Sequence, residues 1–225
     1  MGAIRARFVP TVAVSLSLFV WARVEATTES LLKLPVYVYD YAGVGPDVRA
    51  AAAEITRHIY AAIGVDIVWV DRCPLACHIA FTQEAQAETM SGDLMVIILP
   101  EAMTSREFPA GVMGAAREEG SVAYAFFGRI RASALERNLL QATLLGHVIA
   151  HEVGHVLLRE GHAPRGLMRA KWVGPELLQA RTGRLGFTVT EGDRIRSRLR
   201  EVRDPPNLAT HVQGEAIAES RPPPR

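Results

Sequence analysis

Short apolar runs in the first half of the chain predict β-strands. Residues 34–41 alternate and are rich in strand-forming side chains, and residues 94–99 form a continuous apolar run typical of a buried strand. Pro46 opens a helical stretch that ends at Gly64. Further strands are predicted at residues 65–70, 78–82, 111–117 and 121–128, the last two joined by a hairpin turn at residues 118–120.

The apolar pattern then changes to that of a long helix. Ser133 and Glu136 have the spacing of a capping box, which predicts a helix from there to about Leu158. Apolar residues surround this segment almost completely, as in a helix buried in a core. Gly146 and Gly154 weaken it intrinsically and predict close packing against the sheet.

Glycine and proline break the following segment into short pieces, with a short helix predicted at residues 175–180. A last helix over residues 190–202 is predicted to be capped by Thr190. These elements predict an α+β domain: a mixed, mostly parallel five-stranded sheet packed on two main helices, with a small irregular and helical C-terminal subdomain. The domain spans residues 27–203, divided into 27–158 and 159–203, and residues 204–225 are predicted to be a disordered tail.

The first 26 residues have the pattern of a secretory signal. Arg5 and Arg7 precede an apolar run over residues 9–22, and small residues follow up to Ala26. The mature chain is therefore expected to start near Thr27 and to be secreted or periplasmic. A retained N-terminal anchor is the alternative. No later run is long enough to cross a bilayer, so no stable membrane association is expected after cleavage.

Charge argues against a nucleic-acid partner. The chain of 225 residues has 25 Lys and Arg against 24 Asp and Glu. Residues 181–203 are locally basic, but their arginines fit the solvated face of an amphipathic helix. The expected partner is a peptide or protein substrate, and the pattern leaves the oligomeric state open.

One cluster of residues carries metal chemistry. His151 and His155 are spaced i, i+4, which places both imidazoles on one helix face, with Glu152 beside them and His162 seven residues after His155. Three imidazoles and a carboxylate are the ligands and the general base of a zinc hydrolase. The prediction is one Zn²⁺ per chain. His147 lies eight residues, or about 12 Å of helix, before His155, too far to share the metal, and is expected to be a packed or partly exposed helix residue.

This motif resembles that of the zincin peptidases of the metzincin clan. The third histidine stands seven residues after the second, which is similar to the archaemetzincin pattern H-E-x-x-H-x-x-x-G-x-x-H. Arg159 stands where that pattern has glycine, and the cysteines that follow in archaemetzincins are missing. Gly161 is expected to supply the backbone freedom instead. The segment ending in Met168 is similar to the Met-turn of the clan.

The resemblance implies a zincin-like fold and a zinc endopeptidase, which the predicted signal would direct to secretion. It implies that His151, His155 and His162 bind zinc as neutral imidazoles, and that Met168 closes the site from below. Glu152 would take a proton from the attacking water and deliver it to the leaving amine. The edge strand at residues 111–117 would pair with an extended peptide.

Two other interpretations remain open. In a gluzincin-type peptidase a downstream glutamate replaces the third histidine, and Glu176, twenty-one residues after His155, is the candidate. In a non-catalytic secreted zinc-binding protein the fold and metal would remain without turnover.

The two cysteines of the chain, Cys73 and Cys77, are expected to form a disulfide, because export brings them to an oxidising compartment. Free thiols, or a metal site shared with His78, are the alternatives. Intact-mass measurement of the exported protein without reductant, after alkylation, should show no modified cysteine. Two alkylated thiols would contradict the pairing.

Overall fold

The computed structural model describes residues 31–72, 94–103, 108–109, 111–117 and 121–203. The predicted signal, both cysteines, the strand at 78–82, the turn at 118–120 and the tail lie outside the described residues. Those predictions, and the domain boundaries that depend on them, stay predictions.

The described residues form five strands and five α-helices. The strands are Leu32–Asp40 (β1), Val65–Arg72 (β2), Leu94–Leu99 (β3), Gly114–Arg117 (β4) and Val122–Phe126 (β5). The helices are Pro46–Ala61 (α1), Phe127–Glu136 (α2), Gln141–Leu158 (α3), Gly174–Arg181 (α4) and Val189–Arg203 (α5), with a 3₁₀ turn at Glu101–Met103. None of these helices is both long and apolar enough to span a membrane.

The strands make one sheet in the order β2-β1-β3-β5-β4. The first four strands in this order pair in parallel, and β4 pairs antiparallel with β5 at one edge. This confirms the predicted mixed, mostly parallel five-stranded sheet. It also confirms that the strand predicted within residues 111–117, here β4, lies at an edge of the sheet.

Two main helices, α1 and α3, pack together and against the sheet. Their apolar side chains share one core with those of the central strands. Polar groups cross-link the helices inside this core: the Tyr60 hydroxyl donates to the Ala150 carbonyl at 3.1 Å, and the Thr56 hydroxyl donates to the Gly146 carbonyl at 3.1 Å. The bonds stabilise α1 on α3, because a buried hydroxyl without a partner costs free energy.

The prediction of one helix from Ser133 to Leu158 is wrong. The chain forms α2 first, breaks, and starts α3 at Gln141. Asn138 adopts a left-handed φ of 51° and Leu140 is extended, so the backbone turns between the two helices. Ser133 is not a cap but lies inside α2, where its hydroxyl accepts a hydrogen bond from Nε of Arg137 at 2.8 Å.

The predicted capping residue of the last helix, Thr190, is also wrong. Its N-terminal bonds join Thr188 and Glu191: the Glu191 carboxylate accepts from the Thr188 N–H at 2.7 Å, and the Thr188 hydroxyl accepts from the Glu191 N–H at 3.3 Å. These reciprocal bonds form a capping box two residues before the predicted cap at Thr190.

The glycines of α3 serve close packing, but not against the sheet as predicted. A Cβ at position 146 would lie 2.7 Å from the Ala52 carbonyl oxygen and 2.9 Å from Ile55, both on α1. A Cβ at position 154 would lie 2.7 Å from Sδ of Met168. Gly146 therefore sets the approach of the two main helices, and Gly154 sets the approach of the segment after α3.

Replacing Gly146 by Ala should destabilise the fold by about 1–3 kcal/mol, because the added methyl meets backbone and a β-branched side chain that do not yield freely. The matched control is Gly174→Ala in α4, where a Cβ meets nothing within 4 Å. Urea denaturation measures both. A Gly146→Ala protein as stable as the control would show that α1 and α3 do not depend on this contact.

Candidate metal centre

Three histidine side chains converge in one place on the described part of the chain. Nε2 of His155 lies 3.1 Å from Nε2 of His151 and 3.3 Å from Nε2 of His162, and one nitrogen from each ring lies within 4.8 Å of the others. His151 is buried, His155 half-buried and His162 exposed. This is the only group of at least three His, Cys, Asp or Glu within metal-binding distance among the residues described.

Backbone carbonyls orient two of the rings. Nδ1 of His151 donates to the Leu167 carbonyl at 2.7 Å, and Nδ1 of His155 donates to the Glu160 carbonyl at 3.0 Å. A carbonyl oxygen can only accept, so the ring proton of each neutral imidazole lies on Nδ1. The facing Nε2 atoms therefore present lone pairs to each other, an arrangement that a cation stabilises.

The rings of His151 and His162 favour the neutral state. Burial lowers the pKa of His151 to about 4, and the charges of His155 and His162 add to this effect, against the opposing bond to Leu167. Burial and the nearby His155 also lower the pKa of His162. Neutral imidazoles are the form that binds metals.

The spacing of the nitrogens fits zinc. With Zn–N distances of about 2.0–2.1 Å, two ligands at tetrahedral angles lie about 3.3 Å apart. The measured separations of 3.1 and 3.3 Å agree with that edge. The donor set and the two separations from His155 therefore suit zinc, and the third pair of nitrogens lies within 4.8 Å.

A sharp turn brings His162 to the other two rings. The helix ends at Leu158, and Arg159 takes the left-handed conformation with φ of 53° while its N–H donates to the His155 carbonyl at 2.9 Å. The expectation that Gly161 supplies this freedom is wrong, because Gly161 has no positive φ. Arg159 performs the turn at the position where the archaemetzincin pattern has glycine, and it does so against the usual preference of about 1–2 kcal/mol.

Glu152 lies in the same cleft as the histidines. Its side chain is only 7 % exposed, and burial raises its pKa to about 8. It packs on Gly114 of β4, where a Cβ would lie 2.6 Å from both Cγ and Oε1 of the glutamate. Glycine at this strand position is what allows the carboxyl to fit between helix and sheet.

The cleft has a volume of about 850 Å³ and runs between the edge strand and the metal-binding helix. Residues 111–116 form one wall, and α3 with the segment after it forms the other. The predicted peptide-binding edge strand therefore faces His151, Glu152 and His155 across the cleft.

Met168 is 1 % exposed and packs against Gly154, one residue before His155. Its carbonyl accepts the Ala163 N–H at 2.8 Å, which ties it to the segment that carries His162. The Met168 backbone is thus hydrogen-bonded to the residue after His162, and its sulfur lies beside the residue before His155. The role of a Met-turn beneath the ligands stays a prediction.

Glu176 is not part of the histidine cluster. Its Oε1 accepts from Arg169 at 2.8 Å and its Oε2 accepts from the Val173 N–H at 3.2 Å, so it caps α4 and pairs with an arginine. The hydrogen bond from Arg169 lowers its pKa. These contacts disfavour the gluzincin alternative.

His147 is a packed core residue, as expected. It is 1 % exposed, its Nδ1 donates to the Thr143 carbonyl at 2.7 Å, and its ring makes an edge contact with Trp172. Its Nε2 is the one buried side-chain polar atom without a hydrogen-bond partner among the described residues. Burial lowers its pKa, so the ring stays neutral.

Two residues of the site, Trp172 and Gly114, are not predicted from the sequence. Trp172 donates from Nε1 to the Leu167 carbonyl at 3.0 Å, the same oxygen that orients His151, and its ring lies edge-on to that histidine. No local pattern marks this role. Gly114 carried a usable signal, because glycine inside a strand often marks a close approach.

Comparisons with known proteins give distant structural likenesses. No protein-family model and no curated protein matches the chain. The crystal structure of archaemetzincin from Methanopyrus kandleri is similar with a TM-score of 0.42 and 18% identity, covering 78% of this chain and 99% of that one. A zinc-dependent peptidase from Methanocorpusculum labreanum has a TM-score of 0.39 and 14% identity, covering 73% and 99%. Because both likenesses are so distant, the chemistry of the site rests on its own geometry.

The His162→Ala protein should lose most of its bound zinc, because two neutral imidazoles hold the ion far more weakly than three. Glu176→Gln keeps the side-chain volume and should retain about one zinc per chain. Metal analysis after dialysis, with circular dichroism to confirm folding, separates these outcomes. If the folded His162→Ala protein keeps its zinc and the Glu176→Gln protein loses it, the third zinc ligand is Glu176 and not His162.

Proposed function

We propose that this chain is a zinc-dependent peptidase. The observation that carries the proposal is the convergence of three imidazole nitrogens in a cleft that also holds the buried carboxyl of Glu152. Ligands and base thus lie on the same open surface, where a substrate can reach both. His151, His155 and His162 would hold the zinc.

The chemistry divides between the ion and the chain. Bound zinc would supply Lewis acidity, which makes water more acidic and polarises a carbonyl. Glu152 would accept the proton of the attacking water and deliver it to the leaving amine. Burial suits it to both steps, because a carboxyl with a raised pKa binds a proton and releases it near neutral pH.

A peptide is the substrate that the cleft wall supports. Strand β4 lies at the sheet edge, so one side of its backbone is not paired with another strand of the described sheet. An extended peptide could add there by backbone hydrogen bonds and cross the metal centre.

The cleft also continues past the histidines in both directions along α3. Leu144 and Val148 line it before His151, and Arg159 and Glu160 line it after His155. A chain bound in this groove could extend on both sides of the metal, which supports cleavage inside a peptide. We therefore propose an endopeptidase, acting on peptides or proteins outside the cytoplasm if the predicted signal directs export.

Replacing Glu152 by Ala should leave zinc binding and folding intact while lowering kcat/KM for peptide hydrolysis by at least about 10²–10⁴-fold. General acid–base help is typically worth that much, and one residue serves both proton transfers here. A peptide library incubated with and without a chelator identifies the substrate, and the variant is then assayed on it.

The matched control is Glu160→Gln, which removes another carboxylate of the same cleft. Glu160 is exposed and paired with Arg194, so its loss should change kcat/KM only slightly. Equal losses in both variants would remove the special role of Glu152. A wild-type protein that binds zinc and cleaves no library peptide would support the non-catalytic alternative.

A further inference from the structure

One end of the cleft combines an apolar wall with positive charge. Leu144 and Val148 of α3 and Leu177 of α4 line this end, together with Trp172. Leu144 lies seven residues, or about 10 Å of helix, before His151. At about 3.3 Å per extended residue, the far end of the wall lies about three peptide residues from His151.

Three cations line the same end, Arg137, Arg169 and Lys171, which together are called the basic end of the cleft. Contacts tie them to the apolar wall: Arg137 donates to the Trp172 carbonyl at 3.4 Å, and Arg169 pairs at 2.8 Å with Glu176 of the helix that carries Leu177. The charges thus adjoin the wall.

These charges are only partly compensated within the described structure. Glu176 neutralises Arg169. The guanidinium of Arg137 is held by the Ser133 hydroxyl at 2.8 Å and by the Trp172 carbonyl, both uncharged. Lys171 is exposed and makes no hydrogen bond or ion pair with any described residue. The opposite end is lined by one cation and one carboxylate, Arg159 and Glu160.

We propose that the basic end of the cleft recognises a carboxylate of the substrate, a deepening that rests on the proposed peptidase function. The carboxylate would belong to an aspartate or glutamate side chain or to the C-terminus of the peptide. Arg137 offers a guanidinium already oriented by two hydrogen bonds, so little side-chain freedom is lost on binding. Methylene groups of the substrate would pack on Leu177, the partly exposed residue of the apolar wall, and Lys171 would add charge at the rim.

The test compares peptides that differ in one group. Internally quenched peptides carry Glu, Gln, Leu or Lys in turn at the positions beside the scissile bond, and a second set has a free or an amidated C-terminus. We expect kcat/KM to be about tenfold higher for Glu than for Gln, and the difference to shrink with added salt. A preference in the first set assigns a side-chain carboxylate, and a preference in the second assigns the C-terminus.

Variants of the full chain locate the effect. Lys171→Glu should reduce the carboxylate preference several-fold and raise kcat/KM for the Lys peptide, and Arg137→Gln should reduce the preference further. Arg165→Gln is the matched control, because Arg165 is an exposed arginine of the same segment that does not line the cleft. It should leave the preference unchanged. Lys171 is exposed, so its variant tests the proposal even if Arg137→Gln fails to fold.

A binding measurement separates this inference from the peptidase proposal. Fluorescence anisotropy of the same peptides with the Glu152→Gln protein reports recognition without turnover. Preferred binding of the carboxylate peptides, with no cleavage by wild type, would overturn only the peptidase proposal. Two outcomes would overturn the recognition of a carboxylate at the basic end. In the first, Glu and Gln peptides bind equally, and so do peptides with free and amidated C-termini. In the second, the carboxylate preference persists in both the Lys171→Glu and the Arg137→Gln proteins.

Discussion

The convergence of three imidazole nitrogens is the arrangement on which the second half of the chain depends. Nitrogen lone pairs that face each other at about 3 Å repel, so other contacts must hold the rings together. Two backbone carbonyls do this: that of Glu160 for His155 and that of Leu167 for His151. Both acceptors lie after α3, and the segment must therefore fold back over its own helix before the site exists. A cation at the centre would convert the repulsion into attraction, which couples metal binding to the fold of this segment.

Three glycines allow other parts of the chain to pack closely around α3. Gly154 lets Met168 lie directly on α3, Gly114 lets Glu152 fit against the edge strand, and Gly146 lets α1 approach the same helix. In each case a Cβ would overlap a neighbour that belongs to another element. The helix thus carries the histidines and Glu152 on a core that has no room for an added methyl group at these positions. Such packing gives a rigid support, which a metal site needs if its ligands are to hold their positions.

Segments with a clear apolar periodicity form the predicted elements. The predictions are wrong where local bonds and not periodicity decide the backbone conformation. The sheet, the two main helices and the edge strand followed from apolar patterns, and the spacing of His151 and His155 implied their shared helix face. The break before α3 was missed because Ser133 and Glu136 imitate a capping box, while the turn depends on a left-handed Asn138. Arg159 was missed for the same reason: a non-glycine residue in that conformation is held by tertiary contacts, which no local pattern reveals. Trp172 acts through a carbonyl five residues away, and only the folded chain shows that bond.

That bond links the basic end of the cleft to the histidine cluster. The Leu167 carbonyl accepts from both His151 and Trp172, so the orientation of a metal ligand and that of a cleft wall depend on one oxygen. The carbonyl of Trp172 in turn accepts from Arg137, which supplies charge to the same end of the cleft. A shift of Trp172 would therefore move the guanidinium and disturb the hydrogen bond of His151 together. Because the three groups share these bonds, the basic end of the cleft and the histidine cluster keep a fixed position relative to each other.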